Sequence, residues 1–198
     1  MQTNAKEIMA QSQDALLKLL KDPASPAFDK AKACQRLAVI GTAEAVPVLA
    51  SMLSDPQFAH YARFGLQPIP DPSADEALRA AMGKLKGELL VGVIDSIGWR
   101  RDANAAVELT RLIGAEDPAV AAAAAAALGR IGGSHAATTL DQTLRKAKGP
   151  LLAAVADACL VCAEGLMAQG RQEEAKSLYA ALRRPEVPKP ARVAAAHL

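Results

Sequence analysis

Four consecutive residues, Trp99-Arg100-Arg101-Asp102, are the part of the sequence best suited to binding chemistry. They include the only Trp of the chain, and Trp and Arg are the side chains most enriched at interface hot spots. Two adjacent guanidinium groups suit a carboxylate or a phosphate. Two interpretations stay open: a binding site between two helices, or Trp99 packed over the helix junction while Asp102 caps the next helix and pairs with an Arg.

Further binding candidates lie near a proline-rich segment, Leu66–Pro72. Alternating prolines cannot continue a helix, so we expect the preceding helix to end near Gly65 and the segment to be extended. The segment is interpreted either as a rigid connector or, with Tyr61 and Arg63 nearby, as part of a binding rim. Arg130 completes the set of candidate binding residues.

The sequence offers little for catalysis or metal binding. Cys159 and Cys162 form a Cys-x-x-Cys pair in the middle of a predicted helix, where we expect buried core side chains. Zinc needs four ligands, and Cys34 and the scattered histidines fall in other parts of the chain. Since the glycines occur as helix stops and form no nucleotide-binding or nucleophile motif, we predict no catalytic residue, no metal site and no cofactor. The histidines are His60, His135 and His197.

A repeated helical unit must position these candidates. Pairs of apolar residues four apart recur along the chain at spacings of 29, 31, 31 and 38 residues, which is typical of repeats built from two helices. A helix stop precedes each pair. The pairs are Leu49/Leu53, Leu78/Met82, Leu109/Ile113, Leu140/Leu144 and Leu178/Leu182.

The clearest unit runs from Pro118 to Lys146. Its first helix is rich in Ala, the best helix former, and Asp117 and Pro118 are suitable residues for the N-cap and the first turn. Gly132 and Gly133 predict the end of that helix, where a left-handed residue is needed. The unit is therefore a helix, a tight stop and a second helix.

Two short phrases resemble known repeats: Leu128-Gly129-Arg130-Ile131-Gly132 and Ala45-Val46-Pro47-Val48-Leu49. They are similar to the short bacterial HEAT-like repeats of the PBS-lyase type, over roughly residues 28 to 182. Residues 163–175 resemble a tetratricopeptide hairpin. The resemblance implies an all-α fold, a right-handed α-solenoid of about five helical hairpins, with one curved face for a partner.

We therefore predict a single repeat array over residues 1–198. A capping helix covers 1–22, and 190–198 begins a further helix or forms a cap. A repeat cut in half at the end indicates a fragment of a longer protein or a terminal cap. The predicted repeats span 28–54, 57–86, 87–116, 118–148 and 150–184.

Composition limits the classes of partner. Hydrophobic residues make up 51% of the chain and aromatic residues 3%, which suits closely packed helices. A formal net charge of +2 is too small a basic excess to predict nucleic-acid binding. The run Ala121–Ala127 is far shorter than the roughly 20 residues that span a bilayer, so we expect no membrane insertion.

The cellular compartment stays open. Three cysteines, an odd number, provide no disulfide framework. The first residues show no charged and apolar leader, which leaves the cytoplasm, or the periplasm if a leader has been removed.

These observations favour a non-enzymatic scaffold that binds a protein or peptide, as an accessory domain or part of a larger protein. Two enzyme alternatives remain. HEAT-like DNA glycosylases for alkylated bases use Trp and Asp, for which Trp99 and Asp102 would be the counterparts. Bilin lyases share the repeat, although the repeat does not itself supply chromophore chemistry.

Overall fold

The structure, a computed structural model, describes residues 5–196, and over that range it contains helices and turns but no strand. Of these described residues 74% are helical, so the prediction of an all-α fold is confirmed. Short 3-10 turns at Ala43–Ala45 and Ala103–Ala105 precede the fourth and the eighth helix. The described helices are α1 (Ala5–Met9), α2 (Gln13–Lys21), α3 (Ala27–Ile40), α4 (Val46–Ser51), α5 (Ala59–Leu66), α6 (Pro72–Met82), α7 (Gly87–Arg100), α8 (Ala106–Leu112), α9 (Pro118–Ile131), α10 (Gly133–Leu144), α11 (Gly149–Ala168), α12 (Gln172–Leu182) and α13 (Lys189–Ala194).

The repeated apolar pairs form the core. The first member of each pair is almost completely buried, with at most 2% of its surface exposed. The period in the sequence therefore identified the inner face of the second helix in each hairpin, which confirms that prediction. These first members are Leu49, Leu78, Leu109, Leu140 and Leu178.

The chain divides into two compact units, Met1–Ser96 and Ile97–Leu198, and the division falls within α7. In the first unit α3 packs on α5 and α4 packs on α6, while α1 and α2 cover α3.

The single capping helix predicted for 1–22 is wrong in detail, because the described part forms two helices. Ser12 begins the second one by accepting a hydrogen bond from Ala15 N. Residues 1–4 of the predicted cap lie outside the described residues.

The second unit has the same pattern of neighbouring pairs. Here α9 packs on α11, α8 on α10 and α10 on α12, and α13 lies against α11. A glycine lets two of these backbones approach closely: a Cβ built at Gly129 would lie only 2.6 Å from Ala158 O. Each unit therefore has solenoid-like packing of successive helix pairs. The last two residues of the helix or cap predicted at 190–198 lie outside the described residues.

Both ends of α9 form as predicted. Asp117 is the N-cap, and its Oδ1 accepts a hydrogen bond of 2.9 Å from Ala119 N. Gly132 and Gly133 have φ values of 72° and 81°, in the left-handed region that favours glycine. The stop between α9 and α10 therefore follows from local residue chemistry.

The expectation of no membrane insertion was drawn from the short run Ala121–Ala127, but another helix is long and apolar enough to span a bilayer by length and composition. Helix α11 has 20 residues and a mean hydropathy of 1.9 over its most apolar stretch. It packs against α9, α10, α12 and α13. The core helix of a soluble protein can have the same length and apolar composition. The helix is therefore weak evidence on membrane insertion in either direction.

Candidate functional site

The end of α7 carries the main candidate residues. Trp99 and Arg100 are its last two helical residues, so the prediction that they lie in a loop between helices is wrong. The helix continues because nothing before Arg101 breaks its hydrogen-bond pattern. It ends with bonds from Arg101 N to Gly98 O (3.2 Å) and from Asp102 N to Ile97 O (3.3 Å). This pair of bonds closes a Schellman turn.

Arg101 occupies the left-handed position of this turn, with φ of 55°. It is the one non-glycine residue with positive φ among residues 5–196. Its side chain is exposed. Because a Cβ crowds the following carbonyl in this conformation, glycine is the usual residue here.

The two interpretations of Trp99 and Asp102 can now be compared with their surroundings. Trp99 is 57% exposed, so the indole is not buried over a helix junction. Asp102 is 7% exposed, and its Oδ1 accepts a hydrogen bond of 3.1 Å from Asn104 N. The prediction that Asp102 caps the next segment is confirmed.

Arg130 lies beside the same helix end. A Cβ built at Gly98 would lie 3.1 Å from Arg130 Nη1 and 2.8 Å from Ala127 Cα. Helix α9 can therefore lie against α7 only because residue 98 has no side chain. Arg130 thus lies beside Gly98, the residue before Trp99. Arg130 and Trp99 themselves are far apart in sequence.

Tyr61 and Arg63 lie in the first unit, on α5. Helix α5 ends at Leu66, close to the predicted end at Gly65. Tyr61 is partly buried and meets the ring of His60 edge-on, with centroids 5.6 Å apart. The proposed binding rim along Leu66–Pro72 stays a prediction.

Arg63 has a structural role within the first unit. Its Nη1 donates a hydrogen bond of 2.9 Å to Gly92 O, and its guanidinium lies against Gly92. Burial lowers the pKa of Arg63, and the negative charge of Asp95 partly offsets that effect. A parallel contact joins Gln67 Nε2 to Ser96 Oγ at 3.0 Å. The guanidinium is thus already engaged in helix packing.

The cysteines are all buried thiols. Burial raises the pKa of Cys34 and of Cys159 to about 12 and that of Cys162 to about 11. A protonated thiol is a weak nucleophile and a poor metal ligand. Within residues 5–196, no three His, Cys, Asp or Glu side chains come together as a metal site.

Two grooves lie between successive second helices and were not predicted from the sequence. One, of about 360 Å³, lies between α8 and α10, with Thr110, Gln142 and Lys146 in its lining. Another, of about 310 Å³, lies between α4 and α6 and is lined mostly by small residues. Ile113 lines the first groove and Leu53 the second, and both are second members of the buried apolar pairs, so the sequence pattern gives no signal that separates groove residues from core residues.

No protein-family model matches the chain, and no curated protein matches it. An engineered protein solved by the Northeast Structural Genomics Consortium is similar in structure, with a TM-score of 0.53, 18% identity and 94% of each chain covered. The chain has an all-α, solenoid-like fold. Human deoxyhypusine hydroxylase in complex with glycerol gives a TM-score of 0.35 at 18% identity, covering 97% of this chain and 90% of that one, which is too low to bear on fold or function.

Proposed function

We propose that this chain is a HEAT-like repeat scaffold without catalytic activity of its own, and that it binds another protein through the end of α7. The single observation that carries the proposal is the exposure of Trp99, at 57%, next to the exposed Arg101. Burial of an indole is stabilising, and an indole exposed to water lacks that stabilisation. A partner that covers Trp99 would bury the indole, and this burial would stabilise the complex.

The location of Trp99 supports this proposal. The apolar pairs that define the repeat are buried inside the hairpins, so they supply the rigidity on which a surface site depends. Trp99 and Arg101 lie at the end of a helix, where α9 holds the backbone through the contact at Gly98. The backbone of such a site is ordered before binding, which lowers the entropy cost of binding.

Affinity capture from an extract of the source organism tests the proposal. The wild type is compared with Trp99→Ala and with Val161→Ala, a control at another exposed apolar residue of the second unit, 44% exposed. We expect the amount of a specific captured protein to fall about tenfold or more with Trp99→Ala. It should stay unchanged with Val161→Ala.

Circular dichroism and thermal unfolding must show that both variants fold like the wild type. Equal capture by all three folded proteins would mean that the end of α7 is not the interface. A partner lost equally with both substitutions would also contradict the proposal, because it would place the interface elsewhere on the second unit.

A further inference from the structure

Helices α7 and α11 end in the same backbone turn but with different residues in its left-handed position. At α7, Asp102 N bonds to Ile97 O and Arg101 N bonds to Gly98 O. At α11, Arg171 N bonds to Leu166 O and Gly170 N bonds to Met167 O, at 2.9 and 3.0 Å. Arg101 and Gly170 have φ values of 55° and 75°. The two turns are therefore equivalent, and only α11 uses the residue that the conformation favours.

The arginine in this position needs a physical reason, because glycine would hold the turn with less strain. A backbone held in such a conformation by a residue that disfavours it is typical of functional sites. The Arg101 guanidinium has no hydrogen bond or ion pair within residues 5–196. No such interaction there offsets the backbone strain. The guanidinium is therefore available to a group outside the described residues.

Other arginines of the second unit show the contrast. Arg111, Arg145 and Arg171 each pair with a carboxylate three or four residues away in the sequence, at 2.8, 3.0 and 2.7 Å. The carboxylate next to Arg101 in sequence, that of Asp102, is buried and caps Asn104 N. An exposed guanidinium with unused donors can take a carboxylate through two parallel hydrogen bonds.

We propose that Arg101 and Trp99 together bind an acidic peptide segment of a protein partner. Arg101 would hold an Asp or Glu carboxylate, and Trp99 would cover an aliphatic side chain next to it. The charge of the second unit is complementary, with thirteen Lys and Arg against ten Asp and Glu in Ile97–Leu198. This inference rests on the proposed function and specifies the partner's chemistry.

Nucleic acid is the competing anionic partner, and the observations favour the peptide. An excess of three positive charges over the unit is small for neutralising a phosphate backbone, whose affinity comes from many simultaneous Lys and Arg contacts. One exposed Trp and 3% aromatic residues also provide little for stacking a strand of bases.

Fluorescence anisotropy with the full chain tests the inference. The probe is a fluorescein-labelled peptide of about ten residues, rich in Glu with one central Leu, and the control peptide has Gln in place of every Glu. We expect the wild type to bind only the acidic peptide, and Arg101→Gly to bind it about tenfold more weakly. Arg101→Lys should lose about threefold, since it keeps the charge but not the planar fork. Arg145→Ala, which removes an exposed but paired cation, should stay within about twofold.

Arg101→Gly should also keep a melting temperature at or above that of the wild type, which separates lost binding from lost folding. Equal binding of the acidic and Gln peptides would overturn the inference, and so would unchanged affinity in Arg101→Gly or binding of duplex DNA in preference to the acidic peptide. Capture of a partner that depends on Trp99 but not on Arg101 would leave the scaffold proposal standing and refute the acidic ligand. Capture that depends on neither would refute both.

Discussion

The ends of α7 and α11 share one backbone turn but differ in the residues that form it. Helix α7 ends in an exposed indole and a left-handed Arg101, whereas α11 buries two thiols along its length and ends at Gly170. In both, a glycine allows close contact with α9: Gly98 against Ala127, and Gly129 against Ala158. The difference teaches that one backbone turn accepts either the glycine that its conformation favours or an arginine whose side chain is exposed.

The largest effect of a single substitution should come from the contact between α9 and α11. A Cβ at Gly129 would lie 2.6 Å from Ala158 O, so Gly129→Ala must push two backbones apart. We expect it to lower the free energy of unfolding by about 2–3 kcal/mol, measured by urea unfolding. Gly165→Ala on α11 is the matched control, because a Cβ there meets nothing within 4 Å. That change should raise the free energy of unfolding by about 0.5–1 kcal/mol.

Gly98→Ala extends the test to the other side of α9. Its Cβ would meet Ala127 Cα at 2.8 Å, so a loss of about 1–3 kcal/mol is expected. No loss at Gly98 together with a large loss at Gly129 would show that the end of α7 is held more loosely than α11. The rigidity assumed for the binding site would then be wrong.

The buried thiols should weaken the fold at alkaline pH. Unfolded thiols lose their protons near 9.0, whereas the folded pKa values are about 12 for Cys34 and Cys159 and about 11 for Cys162. Because the folded state binds more protons above pH 9, stability falls as pH rises. The expected fall is about 1.4 kcal/mol per pH unit for each thiol that stays protonated. Urea unfolding at about pH 8, 9 and 10 measures it.

Cys159→Ala is the variant that checks this cause. It leaves a small cavity and so lowers stability at every pH, but it removes one of the three buried thiols. The slope of stability against pH above 9 should therefore be about one third shallower than in the wild type. An unchanged slope would show that other groups cause the alkaline loss.

Exchanging the residues in the two turns tests their equivalence directly. Gly170→Arg should lower the free energy of unfolding by about 1 kcal/mol, since it places a Cβ in the left-handed region. Arg101→Gly should raise it by about 0.5 kcal/mol, because relief of that strain exceeds the added entropy of the unfolded chain. Thermal unfolding followed by circular dichroism gives both signs. Two losses of similar size would mean that Arg101 stabilises its turn through contacts inside the protein.

Much of the fold could be predicted because local residue chemistry decides it. The buried leucine pairs, the Asp117 cap and the Gly132 stop each follow from a spacing or a single residue type. The break between α1 and α2 was not predicted, because Leu and Ile at helical spacing continue across Ala10–Ser12. A periodic pattern reports a shared face and does not show whether one helix or two provide it.

The candidate site was predicted only in part, for a related reason. The types of Trp99 and Arg101 marked the segment, but their helical and left-handed conformations depend on the Schellman bonds. Arg63 had the same residue type and yet lies against Gly92 as a packing group. Arg101 is exposed, whereas Arg63 is half-buried. This difference arises from tertiary contacts, which the residue types alone do not reveal.

The smallest effect should appear in the fluorescence of Trp99, the only Trp in the chain. An indole that is 57% exposed should be quenched freely by small solutes. The neighbouring guanidinium of Arg101 attracts anions, so iodide should quench about twofold more strongly than caesium at low salt. Arg101→Gly should reduce the iodide constant and leave that of uncharged acrylamide unchanged. Equal quenching by iodide and caesium in the wild type would mean that no positive potential surrounds the indole, and the guanidinium would then be directed away from the surface that Trp99 presents to a partner.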